Sequence, residues 1–348
     1  MNPSTPNRLI TAALLGLLLG IAAAAGAADR PDPLAPYEGI PDGYKIIQGD
    51  MLVRIDGGEA SEGGRGIEGA FFYDKWPGGI VHYEFDANVN ATNRALMRLA
   101  MNEIQDVCAA IFMPRNGHDD YVHIQAHATE NNSEVGFQGG EQIINITSWG
   151  SRFRMVHELM HTLGFKHEQS RPDRDGYVQI HEDRIEADKE HNFETSIFII
   201  MYGPYDFGSV MHYGQCAFST CADCGADPAN CRTISVRQPW TDDWQDEIGQ
   251  RDYLSKGDIA TLQCLYPEVP TVFVDHNPWQ YYHILISPLL PRGSFLNPFP
   301  TFGEAEAVLW SPLIDWSIII QPGHYSAAWR HDKPVTLKAP LGGVTLGL

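Results

Sequence analysis

The sequence predicts an α+β domain in which strands and helices follow one another in irregular order. Two observations predict this class. Strand-length apolar runs alternate with polar, Gly-rich loops, and two segments place apolar residues at helical spacing. The regular strand–helix alternation of a parallel doubly wound sheet is absent. With 348 residues, the chain is long enough for one large domain and a smaller appendage.

The first segment, residues 1–28, has the pattern of an export signal. Arg8 precedes an apolar run over residues 9–25, and small residues follow up to Ala28. The run is shorter than the roughly 20 residues that a membrane span prefers. We therefore expect cleavage after Ala27 or Ala28 and a secreted protein, which is extracellular, or periplasmic in a Gram-negative host. No later segment is apolar enough to cross a bilayer, so we expect no membrane partner after signal removal.

The second segment, residues 29–66, is rich in Pro, Gly and Asp. Its only apolar island lies around residues 44–55. A segment of this composition can bury little surface, so the sequence predicts an extended pro-segment.

The predicted strands and helices begin after this segment. Residues 76–79 (WPGG) predict a turn into the first strand, and Asn90 or Thr92 can cap the first helix. The last helix of this region ends near Leu265. Beyond it, residues 269–348 are rich in Pro, Ile, Val and aromatic residues and predict a small β-rich appendage. The predicted strands of the main domain are residues 80–85, 121–126 and 142–147.

The charge balance argues against two classes of partner. Lys and Arg number 24 against 44 Asp and Glu, which gives a formal net charge of -20. Nucleic acids and anionic membranes are bound through clustered basic side chains. We therefore expect neither as the main partner, and we interpret the acidity as a contribution to solubility.

The strongest functional signal lies between His157 and His167. Residues four apart lie on one face of a helix, one turn along the axis, so His157 and His161 can bind one ion. Glu158 lies about 100° round from His157 and can approach a metal-bound water without occupying the metal. Gly164 can adopt the left-handed conformation that ends helices, which lets the chain turn back and present His167.

Three neutral imidazoles in this arrangement predict one catalytic Zn²⁺ ion. They leave one or two coordination positions for water and substrate, whereas a structural zinc site is closed by four protein ligands. The adjacent Glu158 is then predicted to act as a general base.

The residues around the histidines resemble the signature of the astacin family of zinc metalloendopeptidases, in the metzincin clan. The resemblance rests on residues 157–175 (HELMHTLGFKHEQSRPDRD) and on residues 205–213 (YDFGSVMHY), which are similar to the family's Met-turn. It extends from residue 76 to residue 266. It implies a two-lobed metzincin-type catalytic domain over residues 67–268, with a twisted mixed sheet and an active-site helix that lines the cleft.

The same resemblance implies roles for two more residues. Met211 would form a hydrophobic floor beneath the imidazoles, a role that coincides with core packing. Tyr213 would be a displaceable zinc ligand whose hydroxyl swings to the oxyanion; a buried tyrosine with a local hydrogen bond is the alternative. The implied reaction is peptide-bond hydrolysis in which Glu158 takes a proton from a metal-activated water and returns it to the leaving amine.

The resemblance also implies a latent precursor inhibited by its own pro-segment. The Gly-Asp pair that ends at Asp50 is similar to the inhibitory switch of astacin-like precursors, in which the carboxylate replaces water on the metal. An ordinary Gly-Asp turn is the alternative. A cut after Arg65 or Gly66 would free a mature amino terminus, which in the family packs near the Glu after the third histidine, here Glu168.

Six cysteines are expected in an oxidising compartment. The family usually joins the regions of Cys108 and Cys264 by a disulfide, although its second cysteine follows the Leu-Tyr pair and Cys264 precedes Leu265. A shift of three on a helix nearly preserves the face, so we expect this bond. The other four allow three pairings or a structural zinc, and export favours disulfides. These four are Cys216, Cys221, Cys224 and Cys231.

The sequence therefore predicts a secreted zinc endopeptidase that acts on proteins or peptides. One alternative is an exported adhesion or binding protein that retains the peptidase fold as a scaffold. Another is a peptidase dedicated to cell-wall peptides. The first alternative is disfavoured because every catalytic position of the motif is filled.

Overall fold

The computed structural model describes part of the chain, including the predicted catalytic domain (residues 67–268) apart from residues 67–74, 196–200 and 268. The described residues are 39–55, 75–195, 201–267, 271–275, 298–307, 309, 316–320, 323–325, 335–339 and 344–346. The predicted signal peptide and the predicted cut at Arg65 or Gly66 lie outside these residues.

A seven-stranded mixed sheet organises the catalytic region. Its strands are β1 (Tyr44–Ile47), β2 (Met51–Arg54), β3 (Ile80–Phe85), β4 (Ile111–Pro114), β5 (Tyr121–Ala126), β6 (Asn132–Glu134) and β7 (Glu141–Ile146). Their order is β1-β2-β6-β7-β5-β3-β4. Strands β4, β3, β5 and β7 are parallel, and β6 is antiparallel to β7. This sheet confirms the predicted α+β class, and the three predicted strands agree with β3, β5 and β7 to within one residue.

The described helices lie between and after these strands. They are α1 (Ala91–Gln105), α2 (Arg152–Thr162), α3 (Pro228–Cys231), α4 (Thr241–Trp244), α5 (Lys256–Leu265) and α6 (Phe302–Ala307). As predicted, Asn90 caps α1, and its side-chain oxygen accepts from Asn93 N at 2.9 Å. Within the described residues, no helix has the length and apolar character that crossing a bilayer requires.

Shorter elements complete the region. Single 3-10 turns lie at Pro77–Gly79, Glu168–Ser170, Arg174–Gly176, Glu182–Arg184 and Glu190–Phe193. Strands β8 (Val178–Ile180) and β9 (Ile234–Val236) form a separate antiparallel pair.

Two hydrophobic clusters form the cores of the two predicted lobes. The first packs α1 and α2 against the sheet through residues such as Ile104, Ile144 and Leu159. The second lies around β8 and β9 and includes Phe193 and Tyr213. Helix α2 packs in the first cluster, and β8, which follows it in the chain, packs in the second. The segment between α2 and β8 therefore connects the two cores.

The carboxy-terminal region is β-rich, as predicted. Its strands are β10 (Thr271–Val274), β11 (Trp316–Ile320), β12 (Gly323–Tyr325), β13 (Val335–Lys338) and β14 (Val344–Leu346). Every pairing among them is parallel, in a three-stranded sheet β10-β11-β13 and a pair β12-β14. A third hydrophobic cluster, with Val274, Ile318 and Tyr325, lies inside this region.

The amino-terminal hairpin, residues 44–54, departs from the sequence prediction. We expected this segment to be extended and to bury little surface. Instead β1 pairs with β2, and β2 pairs in parallel with β6 at the edge of the sheet. Met51 and Leu52 are buried at 0% and 2% exposure. The prediction was wrong because the composition of this segment does not show that it adds to the sheet next to β6.

Candidate metal centre and cleft

Helix α2 places two histidines and a glutamate on the floor of the site. His157, Glu158 and His161 all lie on this helix, and all are buried. Gly164 follows with φ 102°, as predicted for the residue that ends the helix. The reversal is closed by Gly164 N, which donates to His161 O at 2.8 Å, and it brings His167 back to the other two histidines.

The three imidazoles lie in contact, with the ring of His161 edge-on to the rings of His157 and His167. Their ring centroids lie 4.7 Å apart for His157 and His161, 4.8 Å for His161 and His167, and 5.3 Å for His157 and His167. His157 Nδ1 lies 2.8 Å from Val210 O, and His161 Nδ1 lies 2.8 Å from Phe165 O. Each Nδ1–H can donate to that carbonyl, which leaves both Nε2 lone pairs pointing at a common centre.

A fourth group, the carboxylate of Asp50, completes this centre. Asp50 Oδ2 lies 3.1 Å from His157 Nε2, and Oδ1 lies 3.0 Å from His167 Nε2 and 3.4 Å from His161 Nε2. The four ligand atoms all lie within 4.8 Å of one another. In the described chain, His161 Nε2 and Asp50 Oδ1 are buried without a hydrogen-bond partner.

These residues fit zinc. Three imidazole nitrogens and one carboxylate oxygen are ligands that Zn²⁺ accepts in four-coordinate sites. Burial lowers the pKa of His157 to about 3 and also lowers the pKa of His167. Burial therefore favours the neutral imidazoles that metal binding requires, and the two orphaned ligand atoms are those that an ion would satisfy.

Glu158 lies beside this centre without belonging to it. Its side chain is buried, and Oε2 has no hydrogen-bond partner among the described residues. Burial, and then the charge of Asp50, raise the pKa of Glu158 well above its ordinary value. A carboxylate in this setting is suited to accept and hold a proton.

The Met-turn is fastened to helix α5. Asp258 accepts from Ser209 Oγ at 2.6 Å and from Val210 N at 2.9 Å. The carbonyl of Val210 is the one that faces His157 Nδ1, so α5 also positions that imidazole. Met211 is 2% exposed and packs in the same cluster as the apolar residues of α2.

Comparison with known proteins identifies the family. A sequence model of the astacin family (peptidase family M12A) matches residues 70–267, more than half of the chain. The chain belongs to the astacin family. This family is zinc-dependent, and the three clustered histidines fit its metal motif.

Several astacin-related proteins share this region. Bone morphogenetic protein 1 of Xenopus laevis is 34% identical over 196 residues, which cover 55% of this chain and 27% of that protein. Astacin-like metalloprotease toxin 1 of Loxosceles intermedia is 33% identical over 239 residues, which cover 65% of this chain and 83% of the toxin. High choriolytic enzyme 1, a hatching enzyme zinc-protease from Oryzias latipes, has a solved structure that is 30% identical, with a TM-score of 0.49. The match covers 55% of this chain and 92% of that structure.

Tyr213, which the sequence predicted to be a displaceable zinc ligand, lies against the third histidine. Its ring centroid is 4.6 Å from that of His167, and its side chain is buried. Its hydroxyl donates a hydrogen bond to the carbonyl of Gln48 in the amino-terminal hairpin. The hairpin therefore engages both the metal centre and the tyrosine.

The tip of the hairpin fits closely between two aromatic side chains. Gly49 has φ +82°, and a Cβ at this position would lie 2.7 Å from Phe218 Cζ and 2.9 Å from Tyr213 Oη. Glycine is thus required here both by the backbone conformation and by the space. Sequence reasoning missed Phe218, which no motif distinguishes from an ordinary core residue.

Glu168, the residue after the third histidine, is held by two local partners. It accepts from Arg171 Nη1 at 2.9 Å and from Asp206 N at 2.8 Å. Burial raises its pKa to about 7, against the opposing charge of Arg171.

Arg251 is a further charged residue of the cleft that sequence reasoning missed. It donates to the carbonyl of His212 at 3.1 Å. Burial is the main cause of the lowered pKa of His157, and the positive charge of Arg251 is the second. Arg251 lies 94 positions after His157, so the sequence carries no local signal that links the two residues.

Two disulfides close the loop after the Met-turn. They join Cys216 to Cys224 and Cys221 to Cys231. This is one of the three pairings that the sequence left open. The alternative of a structural zinc is wrong, because all four sulfurs are in disulfide bonds.

The expected disulfide between Cys108 and Cys264 is not formed, so that prediction was wrong. Cys264 Sγ instead donates to Tyr202 Oη at 2.6 Å. Ala109 N donates to Tyr266 O at 2.9 Å, and Gln263 Nε2 donates to Val107 O at 3.1 Å. Gln263 and Tyr266 therefore contact the segment around Cys108, whereas the thiol of Cys264 hydrogen-bonds to Tyr202.

Proposed function

We propose that this protein is a secreted zinc endopeptidase, made as a latent precursor, that hydrolyses peptide bonds in proteins or peptides. The observation that carries the proposal is the convergence of three buried imidazoles beside Glu158, whose Oε2 lacks a hydrogen-bond partner among the described residues. An adhesion module would have no use for a buried carboxylate beside an open metal centre.

The proposed chemistry divides between the metal and the chain. Zinc, when held by His157, His161 and His167, supplies a Lewis acid that lowers the pKa of water towards about 7. Glu158 takes the proton of the attacking water and returns it to the leaving amine. Tyr213, once released from Gln48, donates a hydrogen bond to the developing oxyanion.

Latency is proposed to come from the amino-terminal hairpin. Asp50 takes the place of water at the metal centre, and this is supported by its distances of 3.0–3.4 Å to the three imidazoles. In this proposal residues 29–66 are the pro-segment, residues 67–268 the peptidase domain and residues 269–348 an appendage. A cut after Arg65 or Gly66 releases the hairpin, and the new amino terminus packs near Glu168.

Secretion is supported by two features. Residues 1–28 have the pattern of a signal peptide. The two disulfides of the Met-turn loop fit an oxidising compartment.

The activity is tested with the matured protein on casein and on a mixture of quenched fluorescent peptides. We expect cleavage that a zinc chelator abolishes and that one equivalent of Zn²⁺ restores. Metal content is measured in the same samples. Zinc-loaded, matured protein that cleaves neither casein nor any peptide would contradict the proposal, as would cleavage that persists in the metal-free protein.

A further inference from the structure

The last residue of β2, Arg54, lies in a set of oxygen atoms supplied by the peptidase domain. Its Nε donates to Glu134 Oε1 at 3.1 Å. Its Nη2 donates to the carbonyl of Glu141 and approaches the carbonyl of Gly139 at 3.5 Å. We call these three acceptors, the Glu134 carboxylate and the carbonyls of Gly139 and Glu141, the guanidinium cradle.

The cradle is also held by hydrogen bonds that do not involve the hairpin. Ile143 N donates to Glu134 Oε2 at 2.7 Å, which fixes the carboxylate. The loop that carries Gly139 is braced by Gln142 Nε2, which donates to Gly136 O at 2.7 Å. Gly136 N in turn donates to His161 O at 2.9 Å, so the loop is tied to the end of the active-site helix.

The negative charge of Glu134 makes the cradle suited to bind a cation. Glu134 is 2% exposed beneath the hairpin, where Arg54 is its only ion-pair partner among the described residues. Tyr44 adds one hydrogen bond to the carboxylate at 3.3 Å and belongs to the same hairpin. When the hairpin leaves, Glu134 keeps only the N–H of Ile143 among these donors, and a carboxylate with one donor favours a new cationic partner.

The cradle lies along the sheet edge that the hairpin covers. Met51 and Leu52 of β2 pair with Ser133 and Glu134 of β6, which makes β6 the sheet edge that the hairpin covers. Arg54 comes four residues after Asp50 on an extended strand, so the cradle lies about 13 Å from the metal centre. A peptide bound along this edge would reach it with a side chain about four residues from its scissile bond.

We propose that, in the matured enzyme, the guanidinium cradle is a subsite for an arginine side chain of the substrate, with Glu134 as the specificity-determining residue. This inference rests on the proposed peptidase function. One carboxylate and two carbonyls suit the planar fork of a guanidinium, which donates in several fixed directions, better than the single point charge of an ammonium. Arg54 of the pro-segment occupies the subsite in the precursor.

The test compares arginine with citrulline, which has nearly the same shape and no charge. Quenched peptides with one cleavable bond carry a single arginine, or a single citrulline, three to five residues to either side of that bond. We expect one position at which arginine lowers KM by about tenfold or more relative to citrulline, as a charge-assisted hydrogen-bond set would. At the other positions the two peptides should be cleaved alike.

Two variants assign the preference to the cradle. Glu134→Gln keeps an acceptor for Ile143 N and removes the charge, and it should bring the arginine-to-citrulline ratio to within about twofold of one. Glu84→Gln is the matched control, because Glu84 is also a carboxylate of the sheet paired with an arginine, Arg115 at 3.1 Å, and it lies outside the cradle. It should keep the ratio.

Three outcomes decide the proposal. Equal KM values for arginine and citrulline at every position, in an enzyme that cleaves the peptides, would overturn the subsite and leave the proposed peptidase function intact. A ratio that survives Glu134→Gln would also overturn it. Failure of the zinc-loaded enzyme to cleave any peptide would contradict the peptidase function, and the subsite with it.

Discussion

Glu158 shows how one buried side chain can carry the proposed chemistry. Its neighbours on α2, His157 and His161, turn their Nε2 atoms to the metal centre, and Glu158 is left with one oxygen that no described group satisfies. Burial makes its charged form unfavourable, so it gains from taking up a proton. A structural acid in the same place would have been paired, as Glu168 is with Arg171.

The substitution Glu158→Gln tests this role in the matured enzyme. The amide keeps the shape and cannot accept the proton, so we expect kcat/KM to fall by about 10²-fold or more. Zinc content, measured by mass spectrometry, should stay at one equivalent because the three imidazoles are untouched. Glu103→Gln is the control, since Glu103 lies on α1 and pairs with Arg152 at 2.7 Å. A Glu158→Gln enzyme that keeps most of its activity would contradict the assignment of the base.

A single methyl group added at Gly49 tests whether the close fit of the hairpin tip maintains latency. The test uses an Arg65→Gln precursor, which cannot be cut at Arg65. Gly49→Ala brings a Cβ to 2.7 Å from Phe218 Cζ and adds backbone strain at φ +82°. We expect the hairpin to bind less tightly and the uncut precursor to gain about tenfold in peptide cleavage.

Gly43→Ala is the matched control for this experiment. Gly43 has a similar φ of +84°, but a Cβ there has nothing within 4 Å. This variant therefore measures the effect of backbone strain without the clash. Its uncut precursor should cleave peptides more slowly than the Gly49→Ala precursor. Equal leakage from the two variants would show that contact with Phe218 and Tyr213 does not govern latency.

At the scale of elements, the β1–β2 hairpin is the proposed regulatory device. It holds the site through three separate contacts, which are Asp50 on the imidazoles, Gln48 on Tyr213 and Arg54 on Glu134. Because the three contacts lie on one short hairpin, they form and break together.

The substitution Asp50→Ala in the Arg65→Gln precursor separates the metal contact from the rest. The Arg65→Gln precursor alone should stay latent. Without the carboxylate, water and substrate can reach the metal centre, so we expect the uncut double variant to cleave peptides at least about tenfold faster than the latent parent. Asp42→Ala, at an exposed turn just before the hairpin, should stay latent. An inactive Asp50→Ala precursor that binds zinc would contradict the switch.

The elements that the sequence predicted are those with local signals. Helix α2, its end at Gly164 and His167 lie close together in the sequence. Helical spacing and the glycine turn were therefore enough to predict how the three histidines meet. The hairpin could not be predicted in this way, because Asp50 meets His157 across 107 positions. Short strands such as β4 and β6 also escaped prediction, since the pattern in three or four residues is too brief to read.

The cysteines show the same limit. The four in the Met-turn loop were predicted to pair with one another, but their connectivity depends on how the loop folds. The bond from Cys108 to Cys264 was expected from the resemblance, and a shift of three residues in α5 was enough to prevent it. Local spacing therefore predicted the metal centre more reliably than it predicted contacts between distant segments.

For the whole molecule, two buried carboxyl groups contribute to how stability responds to pH. Burial raises the pKa of Glu134 to about 7 and that of Asp258 to about 6, from ordinary values of 4.5 and 3.8. The folded precursor therefore holds protons that the unfolded chain has released. Stability from these two groups is fully present below the unfolded pKa values and is lost as the pH rises through the folded ones. Their contribution to the free energy of unfolding should therefore fall between about pH 4.5 and pH 7. The lowered pKa values of His157 and His212 contribute in the opposite direction.

The substitution Glu134→Gln, made in the Arg65→Gln precursor, measures how much the titration of Glu134 contributes to this pH dependence. Each bound proton contributes at most about 1.4 kcal/mol of unfolding free energy per pH unit, so a shift from 4.5 to about 7 gives a total of about 3 kcal/mol. Urea unfolding at half-unit steps from pH 4.5 to pH 8, followed by tryptophan fluorescence at fixed zinc, measures this dependence. Because the variant lacks this titration, its stability relative to the parent should rise by about that amount across the range, with most of the change complete by pH 7. Parallel curves for parent and variant would contradict the raised pKa of Glu134 and show that the carboxylate stays ionised beside Arg54 throughout.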